Sequence, residues 1–302
     1  MQRNREQTIY LGIDVGGTKI QGAYLERGQP RLTAQVATPT SDYETFLAAL
    51  QRIVEEVCPA GKTLAGLSIG LPGTVTKERV TWVPNLPFLN GRDLAGHLSS
   101  CLGIPVELAN DAQLALLGET WRGAAQAYQN AILVSVGTGV GGALMLGGKI
   151  VRGMHGGAGA FGWLNLDWRE TAHGEHGYVE RHASGSALNN LARQLDPSLN
   201  SHQLIARARA GEQASLTIVQ HFASLLGAAC ASIASILDPE ALIIAGGLCE
   251  AFDLLAPALQ AQMHALASPG VRELPILPAL LGKDAAAYGA LRAAMPPRIH
   301  WT

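Results

Sequence analysis

The sequence predicts an α/β fold of two lobes that begin with the same unit and face each other across a cleft. Three observations carry this expectation. The chain has 302 residues, and at roughly 100–200 residues per domain that length suits two domains. Strand-like and helix-like segments alternate along it. The opening unit also recurs. With a shift of 120 positions, Gly17-Thr18-Lys19-Ile20-Gln21-Gly22-Ala23-Tyr24-Leu25 lies over Gly137-Thr138-Gly139-Val140-Gly141-Gly142-Ala143-Leu144-Met145. Gly, Thr, Gly and Ala coincide, and each apolar position stays apolar. The other reading is a chance likeness between two Gly-rich hairpins.

In the first copy, Thr8–Val15, 20–26 and 32–37 read as strands, with turns at Gly16-Gly17 and Gly28-Gln29-Pro30. Thr40-Ser41-Asp42 suits the cap of a helix to about Cys58, whose Phe46, Leu47, Leu50, Ile53 and Val54 fall at helical spacing. A short buried strand at 65–69 runs into the turn Gly70-Leu71-Pro72-Gly73. A loop rich in Pro and Asn follows and carries Asn85, a candidate substrate contact. Residues 93–102 read as a helix, 106–109 as a strand, and 112–121 as a helix starting just after Asn110-Asp111. The polar stretch 122–129 is the expected boundary, giving lobes of residues 1–122 and 123–283. In the second copy, Ala131–Val136 and Val140–Leu146 are strands around Gly137-Thr138-Gly139.

Apolar residues make up 48% of the chain and charged residues 15%, with a net charge of −2. Sizeable cores are therefore possible. No Lys/Arg run suggests a nucleic-acid surface or a polybasic membrane anchor. Seven polar residues and then a strand-like segment do not resemble a signal peptide. No apolar run reaches the ~18–20 residues of a membrane span, and 222–237 reads as a buried globular helix. Cys58, Cys101, Cys230 and Cys249 are far apart and form no C-x-x-C pair, as expected of reduced cysteines in a cytoplasmic protein.

Chemistry is expected first at Asp14-Val15-Gly16-Gly17-Thr18-Lys19. Glycines let backbone N–H groups converge on an oxyanion. Thr18 adds a hydroxyl and Lys19 a positive charge, and Asp14 suits Mg²⁺ or a metal-bound water. A second such turn at Gly137-Thr138-Gly139 would grip a polyphosphate from the other side. Gly137, Gly139 and Gly142 also fit a dinucleotide fingerprint, but a strand follows instead of a helix, so that reading is rejected. No Walker A pattern is present. Asp111, at a strand end, suits a general base for phosphoryl transfer, and Asn110 a partner for a neighbouring hydroxyl. The alternative for Asp111 is a helix N-cap. Ala241-Leu242-Ile243-Ile244-Ala245-Gly246-Gly247 reads as a buried strand whose glycines admit a base or ribose, or as an ordinary strand–helix turn.

Together these segments, with Leu11-Gly12-Ile13, Gly70-Leu71-Pro72-Gly73, Leu108-Ala109-Asn110-Asp111-Ala112 and the terminal helix from Asp284 to Ala294, resemble the ROK family. That family belongs to the actin/hexokinase/Hsp70 ATPase superfamily, with a ribonuclease H-like fold. The resemblance implies ATP and Mg²⁺, and a small-molecule sugar as acceptor, commonly at its 6-hydroxyl. It implies phosphate binding at Asp14, Gly16, Gly17, Thr18, Lys19, Gly137, Thr138 and Gly139, and adenosine at Gly246 and Gly247. It also implies Asp111 as base and residues 284–302 packing back on the first lobe. A homodimer is expected, and neither nucleic acid nor membrane as partner. Family repressors carry an N-terminal helix-turn-helix, whereas seven residues precede the first strand here, which favours a kinase over a regulator.

The sequence departs from the family on the sugar side. The family's Gly-Glu-x-Gly-His reads Gly159-Ala160-Phe161-Gly162-Trp163, and its three zinc cysteines are replaced by Thr171, His173 and Tyr178. No structural zinc of the family type is expected, and His173, His176 and His182 read as loop histidines. Of the acids that contact sugar in the family, Glu180 survives. Trp163 offers either a flat face for a sugar or mere packing in the space left by zinc.

Overall fold

The computed structural model describes residues 8–77, 79–170, 176–297 and 301–302. The chain forms two compact units. One holds the described residues up to Gln126, Lys149–Ala158 and those from Asp284 onward, and the other holds Ala127–Gly148 and Gly159–Lys283. Segment 149–158, expected from the sequence in the second lobe, clusters with the first unit. Arg152 pairs with Glu107 at 2.9 Å there, and the backbone of Gly156 lies on that of Val75.

In the first unit, β1 (Thr8–Val15) and β2 (Lys19–Glu26) form an antiparallel hairpin with Val15 opposite Ile20. β3 (Gln29–Leu32) continues it on β2, and β4 (Val36–Ala37) pairs with the start of β2. The sequence pattern suggests a turn at Gly28-Gln29-Pro30 and one strand at 32–37. The turn is instead Arg27-Gly28, with φ of 51° and 78°. Two consecutive positive φ values match the strand twist in a two-residue hairpin, which moves β3 forward to Gln29. Helix α1 (Tyr43–Val57) starts at Asp42, whose carboxylate accepts from Thr45 N, and buries Phe46, Leu50 and Ile53. β5 (Thr63–Leu71) runs parallel to β1, and the ribbon of β6 (Thr74–Val75) and β7 (Val80–Trp82) comes next. After α2 (Leu94–Leu102), β8 (Val106–Asn110) adds parallel to β5 and leads into α3 (Asp111–Arg122).

In the second unit, β9 (Ala131–Val136) and β10 (Val140–Leu146) form the second hairpin. A two-residue strand of the first unit, β11 (Lys149–Ile150), lies against α3. β12 (Ala241–Ala245) runs parallel to β9, and β13 (Ile276–Pro278) parallel to β12. The paths β2-β1-β5-β8 and β10-β9-β12-β13 therefore share strand order and direction. The repeat read from the sequence is a repeat of topology. Helices α4 (Tyr178–Ala183), α5 (Gly185–Leu195), α6 (Ser201–Arg209), α7 (Gln213–Leu237) and α8 (Phe252–Leu266) complete this unit. α7 has the length and apolarity of a membrane span, but its Val219, Phe222, Leu226, Cys230 and Ile233 are buried in the core beneath β9 and β12.

The last helix, α9 (Ala285–Ala294), belongs to the first unit and packs on β1, β5 and α3. The packing is backbone on backbone. A Cβ on Gly12 of β1 would lie 2.0 Å from Leu291 N, and one on Gly289 would lie 1.7 Å from Leu114 O. No side chain fits at either position without moving a helix. Gly289→Leu is expected to destabilise the protein by about 3 kcal/mol, the scale of overpacking a close contact, read as a lower urea midpoint. An unchanged midpoint would refute this account of the packing.

Candidate active site

The parallel strands of the first unit bring two acids to one edge. Asp14, near the end of β1, stands opposite Gly70 of β5, and Gly70 stands opposite Ala109 of β8. Two residues beyond Ala109, Asp111 opens α3. A Cβ at Gly70 would lie 3.5 Å from Asp14 Oδ1 and 2.9 Å from Leu114 Cδ1, so glycine keeps the strand between the acids clear. Burial lifts the Asp14 carboxyl to about 7, the like charges of Asp111 and Asp284 add to this, and Lys19 opposes it. Burial also lifts Asp111 to about 6, against hydrogen bonds from the Ala112 N–H and from Asn110 that hold it down. Both groups thus sit near neutrality, where a carboxylate is a useful proton acceptor.

The sequence leaves Asp111 open between base and helix cap. The cap is Asn110: its Oδ1 accepts from Ala112 N at 2.9 Å and Gln113 N at 3.2 Å. Its Nδ2 donates to Gly73 O at 2.9 Å, which ties the Gly70–Gly73 turn to the head of α3. Asp111 keeps one bond of its own, Oδ1 from Ala112 N at 2.8 Å. Asn85 is exposed and lies over the first glycine turn, where a Cβ on Gly17 would fall 2.9 Å from Asn85 Nδ2.

The two glycine turns are anchored alike. In the first, Gly16 N donates to Lys19 O at 2.8 Å, Thr38 Oγ1 to Gly16 O at 2.7 Å, and Thr38 N to Thr18 O at 3.0 Å. In the second, Gly137 N donates to Gly139 O at 3.0 Å, Gly185 N to Gly137 O at 2.7 Å, and Ser186 Oγ to Thr138 O at 2.8 Å. With these carbonyls tied back to the fold, an approaching oxyanion meets amide groups rather than lone pairs. At the end of β12, Gly246 has φ 84°, and a Cβ there would lie 2.5 Å from Val136 O. That close approach puts Gly246-Gly247 beside the second turn. Gly247 lines a cavity of about 170 Å³ with His202, Arg209 and Leu248.

Glu180 braces the same turn. Its Oε2 accepts from Val140 N at 2.9 Å, and its Oε1 bonds His176 Nδ1 at 2.5 Å. Trp163 is half-exposed, at 49%. Tyr178 stacks on His182 at 4.4 Å, and His182 bonds Glu170 rather than His176. Thr171 and His173 lie outside the described residues. Among the described residues, no three His, Cys, Asp or Glu side chains are placed to hold a metal ion.

Sequence reasoning missed Thr38, Ser186 and the role of Asp284. Asp284 precedes α9, its Oδ1 is buried without a hydrogen-bond partner, and its charge acts on Asp14. It was visible only as the first residue of a terminal helix; nothing local aims it at Asp14.

The doubled strand order, the paired turns and the acidic strand ends define an actin-like ATPase fold. The chain belongs to the ROK family, whose model matches residues 10–295. It is 31% identical to the N-acetyl-D-glucosamine kinase of Salmonella newport (strain SL254) over 255 residues, 80% of this chain and 84% of that one. It is 30% identical to the glucokinase of Streptomyces coelicolor (strain ATCC BAA-471 / A3(2) / M145) over 314 residues, 96% of this chain and 98% of that one. Among solved structures, the ROK family glucokinase from Streptomyces griseus in complex with glucose and AMPPNP aligns with a TM-score of 0.79 at 28% identity, covering 95% of this chain and 99% of that one.

Burial of these carboxyls also couples stability to pH. Unfolded Asp titrates near 4, and the folded values are about 7 and about 6. The folded state therefore holds more protons between these limits, and stability falls as pH rises from about 4 to about 7. Asp14→Asn is expected to raise Tm at pH 8 and flatten this slope in thermal melts. A variant with the wild-type slope would show that Asp14 is not protonated by folding.

Proposed function

We propose that the chain is an ATP-dependent sugar kinase that transfers the γ-phosphate to a hydroxyl, the 6-OH, of a hexose or hexose derivative. The observation that carries this is the pairing of Asp111, a carboxylate held near neutral pKa, with a glycine turn in the same unit. Both groups of curated relatives, glucokinase and N-acetyl-D-glucosamine kinase, support a sugar acceptor. The nucleotide analogue named for the Streptomyces griseus structure supports ATP as donor.

Asp111 takes the proton of the acceptor hydroxyl as its oxygen bonds to the γ-phosphorus and the bond to the β–γ bridging oxygen breaks, releasing ADP. The amides of Gly17 and Thr18, with Lys19, would hold phosphate oxygens, and those of Thr138 and Gly139 suit the same role, since the Gly16 and Gly137 N–H groups already close their own turns. Asn110, fixed by Gly73 O beside Asp111, would orient that base toward the acceptor hydroxyl. Asp14 and the unpartnered oxygen of Asp284 fit Mg²⁺, which prefers oxygen ligands and would supply neutralising charge to the phosphates. Gly246 and Gly247 flank adenosine in this reading.

On the acceptor side, Ala160 and Trp163 stand where the family has Glu and His. Each lost polar partner costs roughly 1–3 kcal/mol if the sugar presents the same hydroxyls. Plain glucose is therefore a poor acceptor, and an atypical hexose, an amino sugar or a glycoside, stacked on the half-exposed face of Trp163, is a better one. A panel of sugars with ATP–Mg tests this, and glucose turning over best of the panel would sink it. Asp111→Ala is expected to lower kcat by about 10²–10⁴-fold, the range for a general base, while ATP affinity holds. Wild-type protein that binds sugar without turnover would instead support a sensor.

A further inference from the structure

We propose that Trp301 is a positioning residue for the acceptor side of the site, acting through Arg152 on loop 152–158. The proposal rests on the sugar-kinase reading above. Arg152 is charged yet only 8% exposed. Its Nη2 donates to Glu107 Oε1 at 2.9 Å, and its Cζ lies 4.4 Å from the centre of the Trp301 ring. Two backbone bonds fasten the same place: Arg152 N donates to Thr302 O at 2.6 Å, and Thr302 N to Ile150 O at 3.1 Å. Residues 301–302 thus add a short bridge to segment 150–152 and lay an indole over the buried cation. A desolvated guanidinium on an aromatic face is the strong form of the cation–π contact. The cluster holds together by shape and charge, because Arg152 Nε and Trp301 Nε1 are both buried without hydrogen-bond partners.

Arg152 also roots the loop on its C-terminal side. Its carbonyl accepts from Ala158 N at 3.2 Å, and Gly156 N donates to Gly153 O at 3.1 Å, so 152–158 is a closed loop based on Arg152. The loop's Gly156 sits on the backbone of Val75 in β6, where a Cβ would be 2.2 Å from Val75 O. β6 begins just after Gly73, whose carbonyl holds Asn110. Glu107, the partner of Arg152, lies on β8 three residues before Asn110. Arg152 therefore pins both elements that hold Asn110, the residue beside the acceptor hydroxyl in this reading. The first phosphate turn, at Gly16–Thr18, receives none of these contacts. Without the indole, water reaches the guanidinium, its bond to Glu107 competes with hydration, and the loop loses its anchor.

Full-length Trp301→Ala, Trp301→Phe and Arg152→Lys test this, with steady-state kinetics on the best acceptor of the sugar panel and calorimetric titration of that sugar without ATP. Trp301→Ala is expected to raise KM for the sugar and weaken its binding by about 5–10-fold, with kcat within about twofold, the signature of lost ground-state binding, and KM for ATP unchanged. Trp301→Phe keeps a ring over Arg152 and recovers most of the affinity. Arg152→Lys keeps charge but not the planar stack, and falls between. A lower Tm with wild-type sugar affinity and KM would make Trp301 merely structural and overturn the proposal. Wild-type protein without turnover or sugar binding would instead overturn the kinase reading itself.

Discussion

The contact on which the rest depends is the backbone-to-backbone packing of α9 on β1 and α3. Gly12, Gly118 and Gly289 leave no side chain between the elements: a Cβ on Gly118 would lie 2.3 Å from Ala285 O. Ala287, Ala290 and Ala294 fill the neighbouring positions and are buried. Small residues bury little apolar area each, so the stabilisation here comes from dense dispersion contact over many atoms. Such a contact fixes an axis tightly, because any shift opens a void or meets backbone. The start of α9 and the start of α3 are thereby set, and with them Asp284 and Asp111. The acids of the site take their geometry from this contact and not from one another.

That independence matters because the acids repel. Asp14, Asp111 and Asp284 are acids at one edge of the first unit, and burial, joined at Asp14 by the charges of the other two, lifts Asp14 and Asp111 toward neutrality. A site free to relax would splay them into water. Here Asp14 is held in a strand paired on both sides, Asp111 in the first turn of a capped helix, and Asp284 at the head of a helix whose position is fixed by glycines. The cost of gathering these carboxylates is carried by packing elsewhere in the unit. A site arranged this way suits positive charge, which a divalent metal ion would supply.

Much of this was legible in the sequence, for physical reasons. The strands Thr8–Val15, Ala131–Val136 and Val140–Leu146 were read at their true limits, because each is apolar and bounded by glycine or polar turns. The 120-residue repeat could be read because the same strand–turn–strand geometry demands Gly and Thr at the same points. What escaped was whatever depends on distant partners. Thr38 and Ser186 are unremarkable residues until the fold lays them on Thr18 and Thr138. The cap fell on Asn110 rather than Asp111 because the helix begins one residue earlier than the pattern suggested, at Asp111, and the Gly73 carbonyl holds the Asn110 side chain in place. The short strand at Gln29 was hidden by Pro30, which reads as a turn residue but sits in the strand register opposite Leu25.

The glycine turns and the segments around Trp163 and Glu180 are held in different ways. The two glycine turns are fastened by backbone carbonyls and small hydroxyls, a device that needs only Gly, Thr and Ser. The sugar side in the family leans on zinc thiolates, and none stands at those positions here. In this chain the region is held by other contacts. Glu180 divides its oxygens between Val140 and His176. Gly177 lies on Gly162 and Trp163, where a Cβ would be 2.2 Å from Gly162 O. Glu180, read from the sequence as a sugar contact, bonds a backbone N–H beside the second glycine turn and a histidine, and each of its oxygens keeps a lone pair for a further donor. On the sugar-kinase reading proposed above, the half-exposed face of Trp163 and the remaining lone pairs of Glu180 are what the second unit would offer an acceptor. A sugar selected by such a face would be chosen for its apolar side as much as for its hydroxyls.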